Sequence, residues 1–465
     1  MRGEGDEGTS VDVARARAHA HDTLEPDDGP TAAADAAARF SSDAWTAGIV
    51  GLGYVGLPLA VAVTAAGLGC VGFDVSPAVV DGLTAGRSHV GDVTDAQLRE
   101  ALGTGLVVTD DETMLAGADA LLVCVPSPLG PNRQPDLTYI EAAAGTITRT
   151  VTPGTLVVLE STTYPGTTEE LIVAATAAAG LTLDRDVFVA FSPERVDPGN
   201  PRSTADIPKV VGGVTPASGH VAAAAYRRLV AHIHVVSTAR AAEMTKLLEN
   251  IYRSVNIGLI NEIAQLAHQL DINVWEVIDA AATKPFGFHA FRPGPGVGGH
   301  CIPLDPQFLA WRARKDRFAT RFIDLADQVN TTMPAYTVSR IAGLLNTSRR
   351  AVAGADILGL GVAYKPGVAD DRESPAWEVL AALTALGANV TVHDPVIGAD
   401  RIATRGYTAA STLTPDRLAA HDLAVVLCDH EVIDWATVAA HVPLVFDARG
   451  AYHRRGVTRP HIVPL

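Results

Sequence analysis

One cysteine in this chain stands where a nucleophile would be useful. Cys301 lies in the run RPGPGVGGHCIPLDP, Arg292 to Pro306, directly after Gly298, Gly299 and His300 and four residues before Asp305. Glycines in such a loop let backbone amides crowd a ligand. The other three cysteines, Cys70, Cys124 and Cys428, sit in apolar, strand-like stretches and read as packing residues. A thiol beside a hydride acceptor can add to an aldehyde, and oxidation of the thiohemiacetal gives a thioester that water opens. The pattern therefore predicts a four-electron oxidation. No metal-ligand spacing, serine elbow or Walker loop competes with it.

A hydride acceptor has its own signature. GLGYVG, with Gly51, Gly53 and Gly56 around Tyr54 and Val55, follows an apolar strand ending at Val50 and opens a helix; Asp74 ends the next strand. In this setting Gly51 permits the tight turn, Gly53 admits a pyrophosphate to the backbone and Gly56 allows close helix–strand packing. An acid at position 74 suits a free ribose diol, so NAD is the expected cofactor in preference to NADP. A third set of polar residues, Glu243, Lys246, Asn250 and Ser254, recurs at i+3 and i+4 steps along a helical stretch capped by Ser237 or Thr238. The opposite residues Met244, Leu247, Leu248, Ile251, Val255 and Leu259 read as its apolar face, and a solvated polar stripe is the ordinary interpretation.

The elements that must position these residues alternate strand and helix. Ile49–Val50, Cys70–Phe73, Ala120–Val125, Leu156–Leu159 and Val187–Phe191 read as buried strands of a parallel sheet, and Ile357–Leu360, Val390–His393, Leu423–Leu427 and Leu444–Phe446 as those of another. The halves echo each other: ILGLGVAYKPG resembles GIVGLGYVGLP, and VTVHDP resembles CVGFDVSP. The expected fold is α/β, with two Rossmann-like doubly wound domains joined by a long central helix and a helical region. The divisions fall at 1–43, a disordered extension; 44–237; 238–346; and 347–465.

Composition bounds the rest. At 465 residues, 48% apolar, with Gly 42 and Pro 28, the chain is a folded multidomain protein. A net charge of −16 opposes nucleic acid and anionic membrane surfaces, so an anionic ligand must be held by helix N-termini or a few placed Arg and Lys. The uncharged stretch Ala44 to Phe73 has the length of a membrane span, but its glycines and Pro58 break it into strand, turn and helix. Four widely separated cysteines fit a reducing, cytoplasmic compartment.

From Gly48 onward the chain resembles the UDP-glucose/GDP-mannose dehydrogenase family, the nucleotide-sugar 6-dehydrogenases. GLGYVGLPLA, CVPSPL, LESTTYPGTTEE, EMTKLLENIYRSVNIGLINE, GVGGHCIPLDP and GVAYKPGVADDRESP stand in that family's order. The resemblance implies NAD-dependent oxidation of C6 of a nucleotide-linked hexose through a cysteine thioester, and a homodimer or higher homo-oligomer formed through the long helix. SPERVDPGNP, AATKPFGF and GGHC resemble the branch acting on UDP-N-acetylhexosamines, which implies oxidation of UDP-GlcNAc to its uronate; UDP-glucose and GDP-mannose are the alternatives, with gluco and galacto configurations at C4 both open.

The same resemblance assigns residues. Cys301 is the nucleophile; Lys246 and Asn250 match the pair that stabilises the oxyanion, and Asp305 the carboxylate working with Lys246 on a water. Glu160 of LEST is the candidate for orienting the hydrolytic water, or else a plain strand-end acid. Ser127 replaces a more usual Thr and keeps the hydroxyl, with catalytic and cofactor contacts. Arg372 matches an arginine contacting the cofactor. Glu194, Arg195, Arg292, Gly298, Tyr364, Lys365 and Arg449 match positions binding the UDP-sugar, with Lys246 and Asn250. An arginine common in the family before the glycine run is replaced here by Lys284–Pro285, leaving open which residue of a neighbouring subunit reaches the site. A sensor that binds a nucleotide sugar without turning it over is the reading from another class; it would need none of Cys301, Lys246, Asn250 and Asp305.

Overall fold

The computed structural model describes residues 29–195 and 207–465. Eight strands form the first sheet: β1 (Thr46–Val50), β2 (Gly69–Phe73), β3 (Leu106–Thr109), β4 (Ala120–Val123), β5 (Thr155–Leu159), β6 (Val187–Phe191), β7 (Lys209–Gly213) and β8 (Ile233–Val236). Their order is β3-β2-β1-β4-β5-β6-β7-β8, and every pair is parallel except β6 with β7. Six more, β9 (Asp356–Leu360), β10 (Asn389–His393), β11 (Thr408–Ala409), β12 (Leu423–Val426), β13 (Val445–Asp447) and β14 (Ile462–Pro464), make an all-parallel sheet ordered β11-β10-β9-β12-β13-β14. The second order repeats the first six strands of the first, so the local echoes in sequence reflect one doubly wound plan used twice. In each the strand order reverses beside the first strand, and there a crevice opens at the carboxyl ends.

Strands β1, β4, β5 and β6 are apolar along their length and almost wholly buried because helices cover both faces. The strands not anticipated from sequence are those whose chemistry is weaker: β3 and β8 are partly exposed edges, β7 carries a lysine and two glycines, β11 is two residues long, and β14 is three half-buried residues ending in proline.

The expectation of a disordered extension over 1–43 needs correction over its last third. Gly29–Phe40 is a helix, and Ala33, Ala36, Ala37 and Phe40 are buried in the core cluster of the first sheet with Tyr226. Small residues at helical spacing let it lie close against Pro216–Tyr226, and Phe40 meets Trp45 edge-on at 5.3 Å. Residues 1–28 lie outside the described residues.

Between the sheets run Ala239–Gln269, Val274–Ala282, Asp305–Lys315 and Arg321–Thr347, all helical. Thr238 caps the first, its side chain accepting from the Ala241 amide. Where this long helix crosses Arg321–Thr347, a Cβ on Gly258 would lie 3.1 Å from Ala326 Cα, and Asn330 bridges Asn261 and the Ser254 carbonyl at 3.0 and 3.1 Å. The faces of the long helix are not as the apolar periodicity implies. Glu243, Lys246, Asn250 and Ser254 are buried, while Leu248 and Leu259 are 59% and 57% exposed. Among the described residues no helix is long and apolar enough to cross a membrane.

Candidate active site

The glycine turn after β1 has the conformation its sequence implies. Gly51 has φ +93°, and a Cβ there would lie 3.0 Å from the Cys124 carbonyl; a Cβ on Gly56 would strike Gly51 O at 1.8 Å. Gly53 faces open space, with nothing within 4 Å of where a Cβ would stand. These are the tight turn, the packed helix start and the free approach that a dinucleotide pyrophosphate needs. Asp74 accepts hydrogen bonds from the amides of Leu52 and Ser76 at 3.0 and 2.9 Å, tying the acid to the turn, and its side chain borders the same cleft.

That cleft, about 970 Å³, runs between both sheets and the long helix. It is lined by every sequence-predicted site residue except Gly56 and Asp305, which lie beneath it. The first sheet and its loops supply Gly51, Gly53, Tyr54, Val55, Asp74, Ser127, Glu160, Glu194 and Arg195; the long helix Lys246 and Asn250; the cysteine loop Arg292, Gly298 and Cys301; and the loops of the second sheet Tyr364, Lys365 and Arg449. Arg372 comes from the second sheet's side, pairs with Asp370 at 2.7 Å and lies over the Tyr54 ring at 4.5 Å, so it joins the two sheets across the cleft.

The cysteine loop is wedged against the second sheet by its glycines. A Cβ on Gly298 would stand 2.8 Å from Glu373 O and one on Gly299 2.9 Å from the Tyr364 ring. The Cys301 carbonyl accepts the Asp305 amide at 2.9 Å, starting the helix Asp305–Lys315. Asn250 donates to Asp305 Oδ2 at 2.5 Å, and Lys246 Nζ donates to the Glu194 carbonyl at 2.6 Å. The buried polar stripe of the long helix thus delivers Lys246 and Asn250 to the cysteine loop. Burial pushes the Asp305 carboxyl up to about 6, against the pull of Lys246 and the Asn250 bond. The Cys301 thiol is also pushed up, first by burial and then by Asp305, with Lys246 opposing. The Lys246 charge pulls the thiol down, but desolvation outweighs it. Cys301 is partly exposed, while Cys70, Cys124 and Cys428 are buried thiols.

Glu160 is held by two side chains. Lys209 Nζ donates to its Oε2 at 2.5 Å and the Tyr226 hydroxyl to its Oε1, and the residue is 1% exposed. With a partner on each oxygen, Glu160 forms a buried ion pair with Lys209 at the lining of the cleft. Glu194 is the more accessible acid: its Oε2 lies 3.3 Å from Lys209 and its Oε1 accepts the Arg195 amide at 2.6 Å. Lys209 and Tyr226 were missed in the sequence. The available signal was Lys209 itself, a lysine opening an apolar run, which is seldom buried without an acid to meet it. Among the positive groups, Arg195 pairs with Glu249 at 2.6 Å, Arg292 with Asp279 at 2.9 Å and Arg449 with Asp429 at 3.5 Å. In SPERVDPGNP, the part from Val196 lies outside the described residues.

An NAD-type glycine turn, a cysteine loop and the Tyr364–Lys365 turn of a second doubly wound sheet meet in one cleft, as in a dehydrogenase that takes a nucleotide-linked substrate, and comparison with known proteins agrees. Family models match in three successive parts: the NAD binding domain of the UDP-glucose/GDP-mannose dehydrogenase family over 46–230, its central domain over 240–332 and its UDP binding domain over 358–454. The chain belongs to the UDP-glucose/GDP-mannose dehydrogenase family. A UDP-N-acetyl-D-mannosamine dehydrogenase of Pyrococcus horikoshii is 37% identical over 75% of this chain and 83% of its own. A UDP-N-acetyl-D-glucosamine 6-dehydrogenase of Pseudomonas aeruginosa is 36% identical over 76% of this chain and 83% of its own. The solved structure of the UDP-D-ManNAc dehydrogenase from Pyrococcus horikoshii superimposes with a TM-score of 0.80 at 31% identity, covering 90% of this chain and 98% of that one. NAD is accordingly the cofactor of the first sheet.

Proposed function

We propose that the protein oxidises C6 of a UDP-N-acetylhexosamine to the carboxylate, with UDP-GlcNAc as substrate, through a thioester on Cys301. The observation that carries this reading is the convergence of Cys301, Lys246, Asn250 and Asp305 between the NAD turn and the Tyr364–Lys365 turn. The fit for the cofactor rests on the open space at Gly53 and the packed glycines either side of it. Bound NAD+ supplies the hydride acceptor, twice for each sugar.

The chain's own residues do the remainder. In the first oxidation the C6 hydroxyl proton passes to a water held by Lys246 and Asp305. The Cys301 sulfur then bonds to the aldehyde carbon, its proton leaving by the same route, while Lys246 and Asn250 donate to the oxyanion; such donors are worth on the order of 10²–10³ in rate each. Loss of the second hydride leaves the thioester. Water adds to it, the carbon–sulfur bond breaks, and the acid and free thiol result. Arg195, Arg292, Lys365 and Arg449 hold the diphosphate and sugar against the overall negative charge. Exposed Met244, Leu248, Leu259 and Leu266 on the long helix support a homodimer or higher homo-oligomer across this face.

UDP-N-acetylmannosamine is the second reading, favoured by the name of the Pyrococcus relative. The test is NADH formation from UDP-GlcNAc, UDP-GalNAc, UDP-ManNAc, UDP-glucose and GDP-mannose. Turnover confined to UDP-N-acetylhexosamines, lost in Cys301→Ala with binding of both nucleotides kept, supports the proposal. Preference for UDP-glucose or GDP-mannose overturns the substrate class, and binding without NADH from any sugar overturns catalysis in favour of a sensor.

A further inference from the structure

Beneath the Tyr364–Lys365 turn lies a buried pair, Asp394 and His430, that the mechanism does not use. Its place follows from the internal symmetry. Gly361 follows β9 as Gly51 follows β1, both with positive φ, and a Cβ on either would meet the carbonyl of a cysteine, Cys428 at 2.1 Å or Cys124 at 3.0 Å. Asp394 follows β10 as Asp74 follows β2, and its Oδ2 accepts the Val362 amide at 2.7 Å as Asp74 accepts that of Leu52 at 3.0 Å. The likeness then stops. Ala363 and Pro366 stand where Gly53 and Gly56 do, and Asp394 is sealed from the cleft that Asp74 borders.

His430 is the side-chain partner of Asp394. It is fully buried; its Nε2 lies 3.0 Å from Asp394 Oδ2, and its Nδ1 accepts the Gly367 amide at 3.0 Å. Because an N–H donates to Nδ1, that nitrogen carries no proton and Nε2–H donates to the carboxylate. Asp394 also accepts the Ala363 amide at 3.0 Å, and through Oδ1 the amides of Val396 and Ile397 at 2.8 and 2.9 Å. The turn is therefore pinned at Val362 and Ala363 through Asp394 and at Gly367 through His430. Tyr364 and Lys365, which border the cleft, are the residues between the pins.

We infer that His430 is a positioning residue for the nucleotide sugar: by holding Asp394 and the Gly367 amide together it keeps the Tyr364–Lys365 turn in the shape that receives the UDP moiety. This rests on the proposed role of that turn in UDP-sugar binding. His430 touches no ligand itself, and its effect belongs to one nucleotide only, since the NAD turn is held separately by Asp74.

The experiment measures binding of UDP alone and of NAD+ alone by calorimetry in the full-length protein, with thermal unfolding as a check, for His430→Phe, His430→Gln and His430→Asn. Phe fills the space but leaves Asp394 and the Gly367 amide without their partner. Gln can accept from one and donate to the other, and Asn is too short to span both. The UDP Kd is expected to rise roughly tenfold in Phe and Asn, as losing a buried hydrogen bond implies, to stay within about threefold in Gln, and the NAD+ Kd to hold throughout. If Phe does not fold, Asn against Gln carries the comparison. Unchanged UDP affinity in Phe or Asn, or equal loss of UDP and NAD+ affinity, overturns the inference. Failure of the wild type to bind UDP overturns the reading of the turn instead.

Discussion

Lys209→Met tests whether the ion pair at the floor of the cleft is a structural post. The Lys209 side chain is 8% exposed and that of Glu160 is wholly buried. Burial opposes the charge on Lys209, but Glu160 and then Glu194 more than restore it. Methionine fills much of the same volume and removes the charge. Glu160 is then left in an apolar setting with only the Tyr226 hydroxyl, and stranding one partner of a buried pair costs about 3–5 kcal/mol. Glu194, with 18% of its side chain exposed, can turn to water and adds little. For a unit of this size that cost lowers the unfolding midpoint by roughly 10 °C. Glu160→Gln in the same chain removes the stranded charge and should recover all but about 1 kcal/mol. Urea and thermal unfolding of wild type, both single variants and the double variant give the coupling directly. A Lys209→Met protein as stable as wild type, or a double variant no better than Lys209→Met, would refute the reasoning.

Asp74→Ser should narrow the preference for NAD+ over NADP+, because the like charge against a 2′-phosphate is gone; an unchanged ratio of kcat/KM values contradicts that role. Asp305, raised from 3.8 to about 6, binds more protons folded than unfolded in that window, so its contribution to stability falls as pH rises through it. Measured against Asp305→Asn, wild-type stability should lose roughly 2–3 kcal/mol between about pH 4 and pH 6.5, and a flat difference sinks the assignment. Leu248→Glu with Leu259→Glu should shift the solution mass toward monomer by light scattering; an oligomer of unchanged mass rules out that face.

Much of this was legible in the sequence because it was local. The Gly51, Gly53 and Gly56 turn, the strands with continuous apolar runs and the Cys301 loop are short-range patterns with one physical reading each. The long helix was found for the same reason, but its buried side was not: periodicity assigns apolar residues to the core, whereas here Lys246 and Asn250 are buried because they serve a cleft, and Leu248 and Leu259 face outward. The partners of Glu160 were not legible, because Lys209 and Tyr226 lie 49 and 66 residues away. Such a pair exists only once β5, β7 and the helix ending at Tyr226 pack together. The helix Gly29–Phe40 was missed because alanines among charges resemble a solvated tail until a neighbouring helix buries them.

The central claim, a four-electron oxidation held on Cys301, is tested most directly by counting NADH. A limiting, weighed amount of UDP-N-acetylhexosamine is run to completion, and the absorbance endpoint is divided by the uronate formed. Two NADH per sugar, with no free aldehyde trapped by an added hydroxylamine, is the predicted result. One NADH per sugar with aldehyde released, or acid formation that persists in Cys301→Ala, would contradict it.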